Sequence, residues 1–255
     1  MTDFGRTNPL SSRKTSKKQL HYCPAKPAFD FENGQFQRFT LSKRYRYMES
    51  IITQIQQAST VEWLGTAAGL IGVYLSIKEK VLAWPFFLFC YGLYAYLSYG
   101  ASLYAAMTLN ACFIPISTYG WWKWGVASRG KNKSTPTSIS LAITRMTLKQ
   151  STAIGGISLL ATIGIGTILD RYTECNLPYL DAFATSISFL AQLLLSRKLI
   201  ENWIAWFIAD TAFIVLWAIQ GYWIAVAMFT VFSVMAVLGF FSWRKELSQH
   251  ANPIN

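Results

Sequence analysis

Residues 82–124 read LAWPFFLFCYGLYAYLSYGASLYAAMTLNACFIPISTYGWWKW. Lys123 is the only charged residue in this stretch, which is long enough for two helices that cross a bilayer. Aromatic side chains are frequent in it, as expected of helices that line an aromatic cavity and anchor at the membrane surface. The stretch therefore predicts a pair of transmembrane helices rather than the core of a soluble domain.

The composition of the whole chain agrees with a membrane location. Hydrophobic residues make up 53% of the 255 residues and charged residues only 14%, against about 25% charged in a typical soluble domain. Mean hydropathy is +0.28 although the N-terminal region is polar. These values argue against a soluble globular domain and against a disordered chain.

Seven apolar runs are long enough to span a bilayer as helices. We therefore predict an all-α membrane protein with seven transmembrane helices, near 61–77, 81–98, 103–122, 152–169, 179–195, 203–219 and 222–241. The polar segments around them predict a disordered basic tail at 1–40, an amphipathic interfacial helix at 41–59, a basic cytoplasmic linker at 125–151 and a C-terminal tail at 244–255.

Positive charge lies outside the apolar runs. The chain has 23 Lys and Arg against 12 Asp and Glu, a net charge of +11. Because the basic residues occupy tails and loops, they indicate membrane topology, and no nucleic-acid partner is predicted. Near the span ends, twelve Lys and Arg share a side with the C-terminus and four lie on the other side. This bias predicts a cytoplasmic C-terminus.

The chain contains an internal repeat at an offset of 119 residues. With that shift Trp84 aligns with Trp203, Gly120 with Gly239, and Trp124 with Trp243, without a gap. Residues 60–124 and 179–243 are therefore predicted to be two copies of a three-helix unit, with residues 152–178 supplying a fourth helix and loop between them. Since the period is four spans, the copies run in the same direction and are related by an axis along the membrane normal.

Polar side chains within spans predict a binding site, because they are costly in the bilayer and usually face a cavity or a partner. Asn202, Trp206 and Asp210 lie four residues apart, on one face of a helix. Similar faces occur in the other spans, although Trp84 and Trp203 also suit interfacial anchoring. The candidate substrate-binding residues are Trp203, Trp206, Asn202, Asp210, Gln192, Asn110, Trp84, Tyr91, Phe87, Ser188 and Trp121.

The chemistry of these side chains favours a neutral or cationic aromatic solute. Indole rings bind flat rings and attract cations, and the amides and hydroxyls can hydrogen-bond the hydroxyls of an attached sugar. A phosphate would require Lys or Arg deep in a span, and none occurs there. No cofactor and no metal site is predicted.

Two runs resemble the PnuC-type vitamin transporters, which carry nicotinamide riboside: residues 82–124, quoted above, and ISFLAQLLLSRKLIENWIAWFIAD at 187–210. The resemblance implies a SWEET-like arrangement of three, one and three helices in the bacterial inner membrane. It implies facilitated diffusion of an unphosphorylated vitamin, without ion coupling, and a cytoplasmic kinase that traps the vitamin. The other expected partners are the lipid bilayer and, as one assembly form, a second copy of the chain in a homo-oligomer. Its most specific pieces are Tyr119–Gly120–Trp121–Trp122–Lys123–Trp124, Ala191–Gln192, Arg197–Lys198 and Glu201–Asn202–Trp203 with Trp206 and Asp210.

The sequence departs from that family at two positions, and other functions remain as alternatives. Many relatives have an acidic residue at the place of Ala106 and Gln at the place of Asn110, so another vitamin such as thiamine or riboflavin is the alternative substrate. An intramembrane enzyme is disfavoured because the only histidines, His21 and His250, lie in the tails and no catalytic pair has motif spacing. A scaffold would not need the buried polar face, and indoles would obstruct an ion channel.

Overall fold

The computed structural model describes residues 39–100, 104–131, 141–173 and 175–251. Most of the predicted N-terminal tail and the middle of the predicted 125–151 linker lie outside these ranges. The described residues form eight helices: α1 (Phe39–Gln57), α2 (Thr60–Ile77), α3 (Ala83–Gly100), α4 (Tyr104–Lys131), α5 (Leu148–Tyr172), α6 (Pro178–Ser196), α7 (Glu201–Gln220) and α8 (Trp223–Ala251). Each predicted span corresponds to one of the helices α2–α8.

Several helices are longer than the apolar runs that predicted them. α4 continues into the predicted linker, α5 begins at Leu148 within it, and α8 continues into the predicted C-terminal tail. Hydropathy detects only the apolar part of a helix, whereas polar residues such as Lys and Glu sustain helical turns in water equally well. The ends of the predicted linker and the start of the predicted tail are therefore helical in the structure.

The start of α2 is defined by a capping box. The Ser59 hydroxyl accepts a hydrogen bond from the Glu62 amide at 3.2 Å, and the Glu62 carboxylate accepts one from the Ser59 amide at 2.8 Å. Thr147 and Gln150 form the same arrangement at the start of α5. These caps satisfy backbone N–H groups that have no partner within the helix. The α7–α8 connection turns at Gly221, whose φ of 79° suits glycine.

Six helices enclose a central space. Around the ring, α2 packs against α3, α3 against α4, α4 against α6, α6 against α7, α7 against α8, and α8 back against α2. α5 lies outside the ring and packs against α6, while α1 packs against α8. α1 is fixed by Gln54, whose side-chain amide donates to the Gly221 carbonyl at 3.2 Å and accepts from the Ile224 amide at 3.4 Å.

Within the described ranges, five helices are long and apolar enough to cross a membrane: α2, α5, α6, α7 and α8. α3 carries four tyrosines, and α4 carries Asn110 and a basic C-terminal end, so their hydropathy is lower although their lengths are comparable. The outward side chains of α5 are apolar, with Ile157 65% and Leu160 70% exposed, as expected of a helix that contacts lipid. The prediction of an all-helical membrane protein is confirmed.

Candidate functional site

A cavity of about 200 Å³ occupies the centre of the six-helix ring. All six ring helices contribute to its lining, whereas α1 and α5 do not. Its apolar and aromatic lining with a few polar groups is typical of small-molecule sites. The side chains with aromatic rings or polar groups that line it are Thr66, Ser76, Phe87, Cys90, Tyr91, Tyr94, Asn110, Phe113, Thr185, Ser188, Trp203, Trp206, Asp210, Phe213, Phe229 and Phe232.

One wall of the cavity is a stack of aromatic rings from α3 and α4. Phe87 and Tyr91 have centroids 6.2 Å apart with an interplanar angle of 16°. Tyr91 stacks in turn on Phe113 at 4.9 Å, and Phe113 on Phe189 of α6 at 4.6 Å. Stacked rings hold one another in place because each buries the faces of its neighbours. The wall therefore presents a preorganised aromatic surface to the cavity.

The α6–α7 side of the cavity is more polar. Thr185 and Ser188 of α6 line it together with Trp206 and Asp210 of α7. Asp210 is only 3% exposed and is the one charged group among the described lining residues. The Ser188 hydroxyl donates to the Ala184 carbonyl at 2.8 Å and leaves its lone pairs available to accept. Asn110 of α4 adds an amide to the lining.

The structure brings seven of the eleven predicted site residues together in this cavity. They come from four different helices, so residues that are up to 123 positions apart in sequence share one space. The seven are Phe87, Tyr91, Asn110, Ser188, Trp203, Trp206 and Asp210.

Three predicted site residues are buried next to the cavity without lining it. Gln192 donates a hydrogen bond to the Ser117 hydroxyl at 3.1 Å, which joins α6 to α4. Asn202 donates to the Leu199 carbonyl at 2.7 Å at the start of α7. Trp84 packs edge-on against Trp124, with centroids 5.3 Å apart. Each of these side chains packs between helices or fixes a helix, although the amide oxygens of Gln192 and Asn202 accept no hydrogen bond among the described residues.

Trp121 lies outside the cavity, and its placement corrects the prediction. Its side chain is 44% exposed, whereas Phe113, Ser117, Gly120 and Trp124 form the buried face of α4. A residue directly after Gly120 is turned by about 100° around the helix. Helical spacing from Asn110 predicted that Trp121 lies at the edge of the inward face of α4. In the structure, the ring of Trp84 occupies the space next to Gly120 on that face.

Other lining residues had no direct signal of their own in the sequence. Tyr94 shares a hydrogen bond of 2.8 Å with Thr66 across α3 and α2, and both line the cavity. The repeat offset is the signal that identifies Thr66, because it is 119 residues before Thr185. The same offset relates Phe113 to Phe232, and both of these line the cavity too.

The family model described as nicotinamide mononucleotide transporter matches residues 59–245, which is well over half of the chain. The chain belongs to this family. The family match contains all six ring helices except the C-terminal end of α8, and so it includes the whole cavity lining. The resemblance inferred from residues 82–124 and 187–210 is thereby confirmed.

Relatives within this family bear the name PnuC. The nicotinamide riboside transporter PnuC of Escherichia coli (strain K12) is 24% identical over 204 residues, which cover 72% of this chain and 85% of the relative. The protein of the same name from Neisseria mucosa is 26% identical over 204 residues, covering 74% of each chain. The crystal structure of the vitamin B3 transporter PnuC matches with a TM-score of 0.60 and 22% identity, over 85% of this chain and 94% of that chain.

Membership in the nicotinamide mononucleotide transporter family makes this chain a transporter and not an enzyme, as predicted. The apolar helices and the bacterial relatives together identify a multi-pass protein of the inner membrane. Its substrate is a small molecule, for which the cavity has a suitable lining of aromatic rings and a few polar groups.

Proposed function

We propose that this protein carries nicotinamide riboside into the cell by facilitated diffusion through the central cavity. The single observation that carries the proposal is Asp210, a buried carboxylate that faces a stack of aromatic rings within one cavity. The nicotinamide ring of the riboside is a flat, positively charged heterocycle. Such a ring is attracted both by aromatic faces and by one negative charge.

The cavity favours the riboside over its phosphorylated form. The described lining contains no Lys and no Arg, and a phosphate group would need such a partner once it left water. The ribose hydroxyls, in contrast, can bond to neutral groups such as Ser188, Thr185 and Asn110. The name of the family mentions the mononucleotide, but the charge of this cavity supports an unphosphorylated substrate.

The site residues receive distinct roles in this proposal. Trp203 and Trp206 stack on the nicotinamide ring, opposite the wall formed by Phe87 and Tyr91. Asp210 neutralises the ring charge. Asn202, Gln192 and Trp84 lie next to the cavity and support the helices that carry the binding groups.

The arrangement proposed for the helices is seven spans in a three-plus-one-plus-three pattern, with parallel repeats at 60–124 and 179–243. The closed ring supports it, because a shift of 119 residues exchanges α2 with α6, α3 with α7 and α4 with α8 while preserving every neighbour relation. The indole pairs support it as well. Trp84–Trp124 and Trp203–Trp243 both have centroids 5.3 Å apart, with interplanar angles of 86° and 87°.

The proposed topology has seven spans and a cytoplasmic C-terminus, and α1 lies on the opposite membrane surface. Met48, Ile52 and Ile55 are exposed on α1, which suits a helix that contacts the lipid interface. The charge bias of the loops is the main support for this orientation.

Transport in this proposal is driven by the substrate gradient alone. A symporter needs an ion site linked to its substrate site, and the cavity has one carboxylate without a second charged group beside it among the described lining residues. Accumulation then depends on a cytoplasmic kinase that phosphorylates the riboside and is in this way functionally linked to the transporter.

The proposed assembly form is a homo-oligomer, for which the exposed apolar surface of α5 offers a contact area.

A ligand-binding screen of the purified protein tests the substrate. Isothermal titration calorimetry with nicotinamide riboside, its mononucleotide, thiamine and riboflavin is expected to show the tightest binding for the riboside. Tighter binding of thiamine or riboflavin would favour the alternative vitamins, and tighter binding of the mononucleotide would contradict the charge argument.

A transport assay in proteoliposomes without kinase tests the driving force. An imposed proton or sodium gradient should leave the substrate concentration equal on both sides, and uphill accumulation would contradict facilitated diffusion.

A further inference from the structure

Glu79 and Lys198 form an ion pair at one end of the six-helix ring. The Lys198 Nζ lies 2.8 Å from the Glu79 Oε2. Glu79 belongs to the α2–α3 connection and Lys198 to the α6–α7 connection, so the pair joins the two proposed repeats. Because the residues are 119 positions apart, they occupy equivalent places in the repeats, and each of them pairs with its own counterpart.

The two residues also share an uncommon backbone conformation. The φ angle is 53° at Glu79 and 55° at Lys198, and these are the only non-glycine residues with positive φ in the described ranges. Left-handed backbone is uncommon for residues with a side chain. Each connection therefore makes the same tight turn, which directs the two opposite charges toward each other.

A layer of four tryptophans lies directly beneath this pair. Trp84 contacts Trp124 and Trp203 contacts Trp243, and the two pairs meet where Trp124 and Trp243 have centroids 6.3 Å apart. All four side chains are buried. Of the four, only Trp203 lines the cavity, and Trp124 lines a second pocket together with Glu79 and Lys198, so the indole layer lies between the cavity and the ion pair. The cavity is therefore closed at this end by indole rings.

The tryptophan layer has few polar contacts of its own. Trp243 donates its indole N–H to the Ile77 carbonyl at 3.3 Å, but the indole N–H groups of Trp84, Trp124 and Trp203 are buried without an acceptor among the described residues. Buried donors without a partner destabilise an arrangement. Lys198 adds a cation–π contact to the layer, because its Nζ lies 4.8 Å from the centre of the Trp124 ring as well as against Glu79.

We propose that Glu79 and Lys198 are the latch of a gate at this end of the cavity, with the four tryptophans as its plug. The inference rests on the proposed function, in which a solute crosses the whole ring. A solute in the cavity cannot leave through this end while the indoles fill the ring, and the two connections that carry the latch residues must separate to release it. In the proposed topology this is the cytoplasmic end.

The latch predicts a charge-swap rescue. Glu79→Lys or Lys198→Glu alone places two like charges together and breaks the pair. The double variant Glu79→Lys with Lys198→Glu restores it, and each residue type already adopts positive φ at the equivalent position. By the repeat symmetry, a lysine at position 79 faces Trp243 as Lys198 faces Trp124. The double variant therefore restores both contacts with the charges exchanged.

Cys90 is a native reporter of gate opening. Its free thiol is buried and lines the cavity between the two ends of α3. Sealed inside-out and right-side-out vesicles carrying the full-length protein are treated with a membrane-impermeant sulfonated thiol reagent, and mass spectrometry of the peptides measures the modification rate at Cys90. Each single charge reversal is expected to raise that rate about two- to fivefold in inside-out vesicles, since a partly exposed ion pair shifts an equilibrium by up to about fivefold.

The double variant is expected to return the rate to that of the wild type. Glu79→Gln, which removes the charge without repulsion, should give a smaller rise in the same direction. Lys78→Gln is the matched control, because it removes an exposed neighbouring cation that has no part in the latch. Wild-type rates in both single reversals in both kinds of vesicle, or a double variant that reacts as fast as the single ones, would overturn the latch.

The outcome is independent of the substrate proposed above, because no solute is added. A rise confined to right-side-out vesicles supports the latch and contradicts the proposed orientation. A normal latch in a protein that does not bind nicotinamide riboside contradicts only the proposed substrate.

Discussion

Gln192 donates a hydrogen bond of 3.1 Å to the hydroxyl of Ser117, from one fully buried side chain to another. The bond connects α6 with α4, which are neighbours where the two proposed repeats meet. Its counterpart cannot form at the other meeting of the repeats, since Val73 and Ala236 stand at the equivalent positions. At this position the α4–α6 junction is therefore polar and the α8–α2 junction is apolar, and the hydrogen bond from Trp243 to Ile77 lies elsewhere along the α8–α2 junction.

The Gln192–Ser117 bond is expected to stabilise the ring measurably. Gln192→Met and Ser117→Ala should show a coupling of about 0.6–1.7 kcal/mol in a double-mutant cycle, the range for hydrogen bonds between membrane helices. The cycle is measured by unfolding in mixed detergent micelles. Strictly additive losses would indicate that the two side chains do not stabilise each other.

Asp210→Asn should weaken binding of nicotinamide riboside about 10- to 150-fold, because a charged partner contributes about 1.5–3 kcal/mol. Binding of the reduced riboside, whose ring is neutral, should change much less. Calorimetry on both ligands measures the difference. Asp170→Asn serves as the matched control, since that carboxylate is exposed on α5 and should leave both affinities unchanged. Equal losses for the charged and neutral ligands would contradict the role of Asp210 as a counter-charge.

Trp206→Ala should remove a stacking contact and lower the affinity about five- to thirtyfold, corresponding to about 1–2 kcal/mol. Trp121→Ala provides the control with the same loss of an indole, because Trp121 lies outside the cavity. Substrate titrations on both variants compare them directly. A larger effect for Trp121 than for Trp206 would move the binding site to another surface of α4.

Gly120 and Gly239 provide a matched pair of overpacking variants. A methyl group at Gly120 would collide with the ring of Trp84, and one at Gly239 with the ring of Trp203. Both Gly→Ala variants should therefore lose about 1–3 kcal/mol of stability. Since only Trp203 lines the cavity, only Gly239→Ala should also weaken substrate binding.

Gly155→Ala on α5 is the control for these glycine variants, because a methyl group there meets no neighbouring atom within 4 Å. It should be neutral or stabilising by up to about 1 kcal/mol, the difference in helix propensity. Apparent melting temperatures and substrate titrations on the three proteins separate the effects. Equal affinity in Gly120→Ala and Gly239→Ala, below that of the wild type, would show that Trp84 contributes to the site as much as Trp203.

The orientation can be tested with reporters at the C-terminus. We expect an alkaline phosphatase fusion after residue 255 to be inactive and a green fluorescent protein fusion at the same place to fluoresce, because the Lys and Arg bias keeps that end in the cytoplasm. An active phosphatase fusion without fluorescence would reverse the topology, and with it the face assigned to the gate.

The sequence by itself determined that the chain is an all-helical membrane protein of this transporter family. Apolar runs such as 203–219 are readable from composition alone, because a bilayer requires about 20 consecutive apolar residues that satisfy their backbone bonds within one helix. The 119-residue offset could be recognised from the sequence because both copies keep the same residues at equivalent contacts. Each copy must supply the same contacts to its own helices, as Trp84 does on Gly120 and Trp203 on Gly239.

Only the tertiary structure decided which polar and aromatic residues share the cavity. Helical spacing identifies a face but not what the face meets, so Asp210 and Gln192 were both candidate binding residues although one lines the cavity and the other bonds to Ser117. The same limit applies to Trp121, which spacing placed near Asn110 and packing placed outside. The pairing of Glu79 with Lys198 could not be predicted from the sequence either. It depends on two turns with positive φ, which the closure of the helix ring brings together.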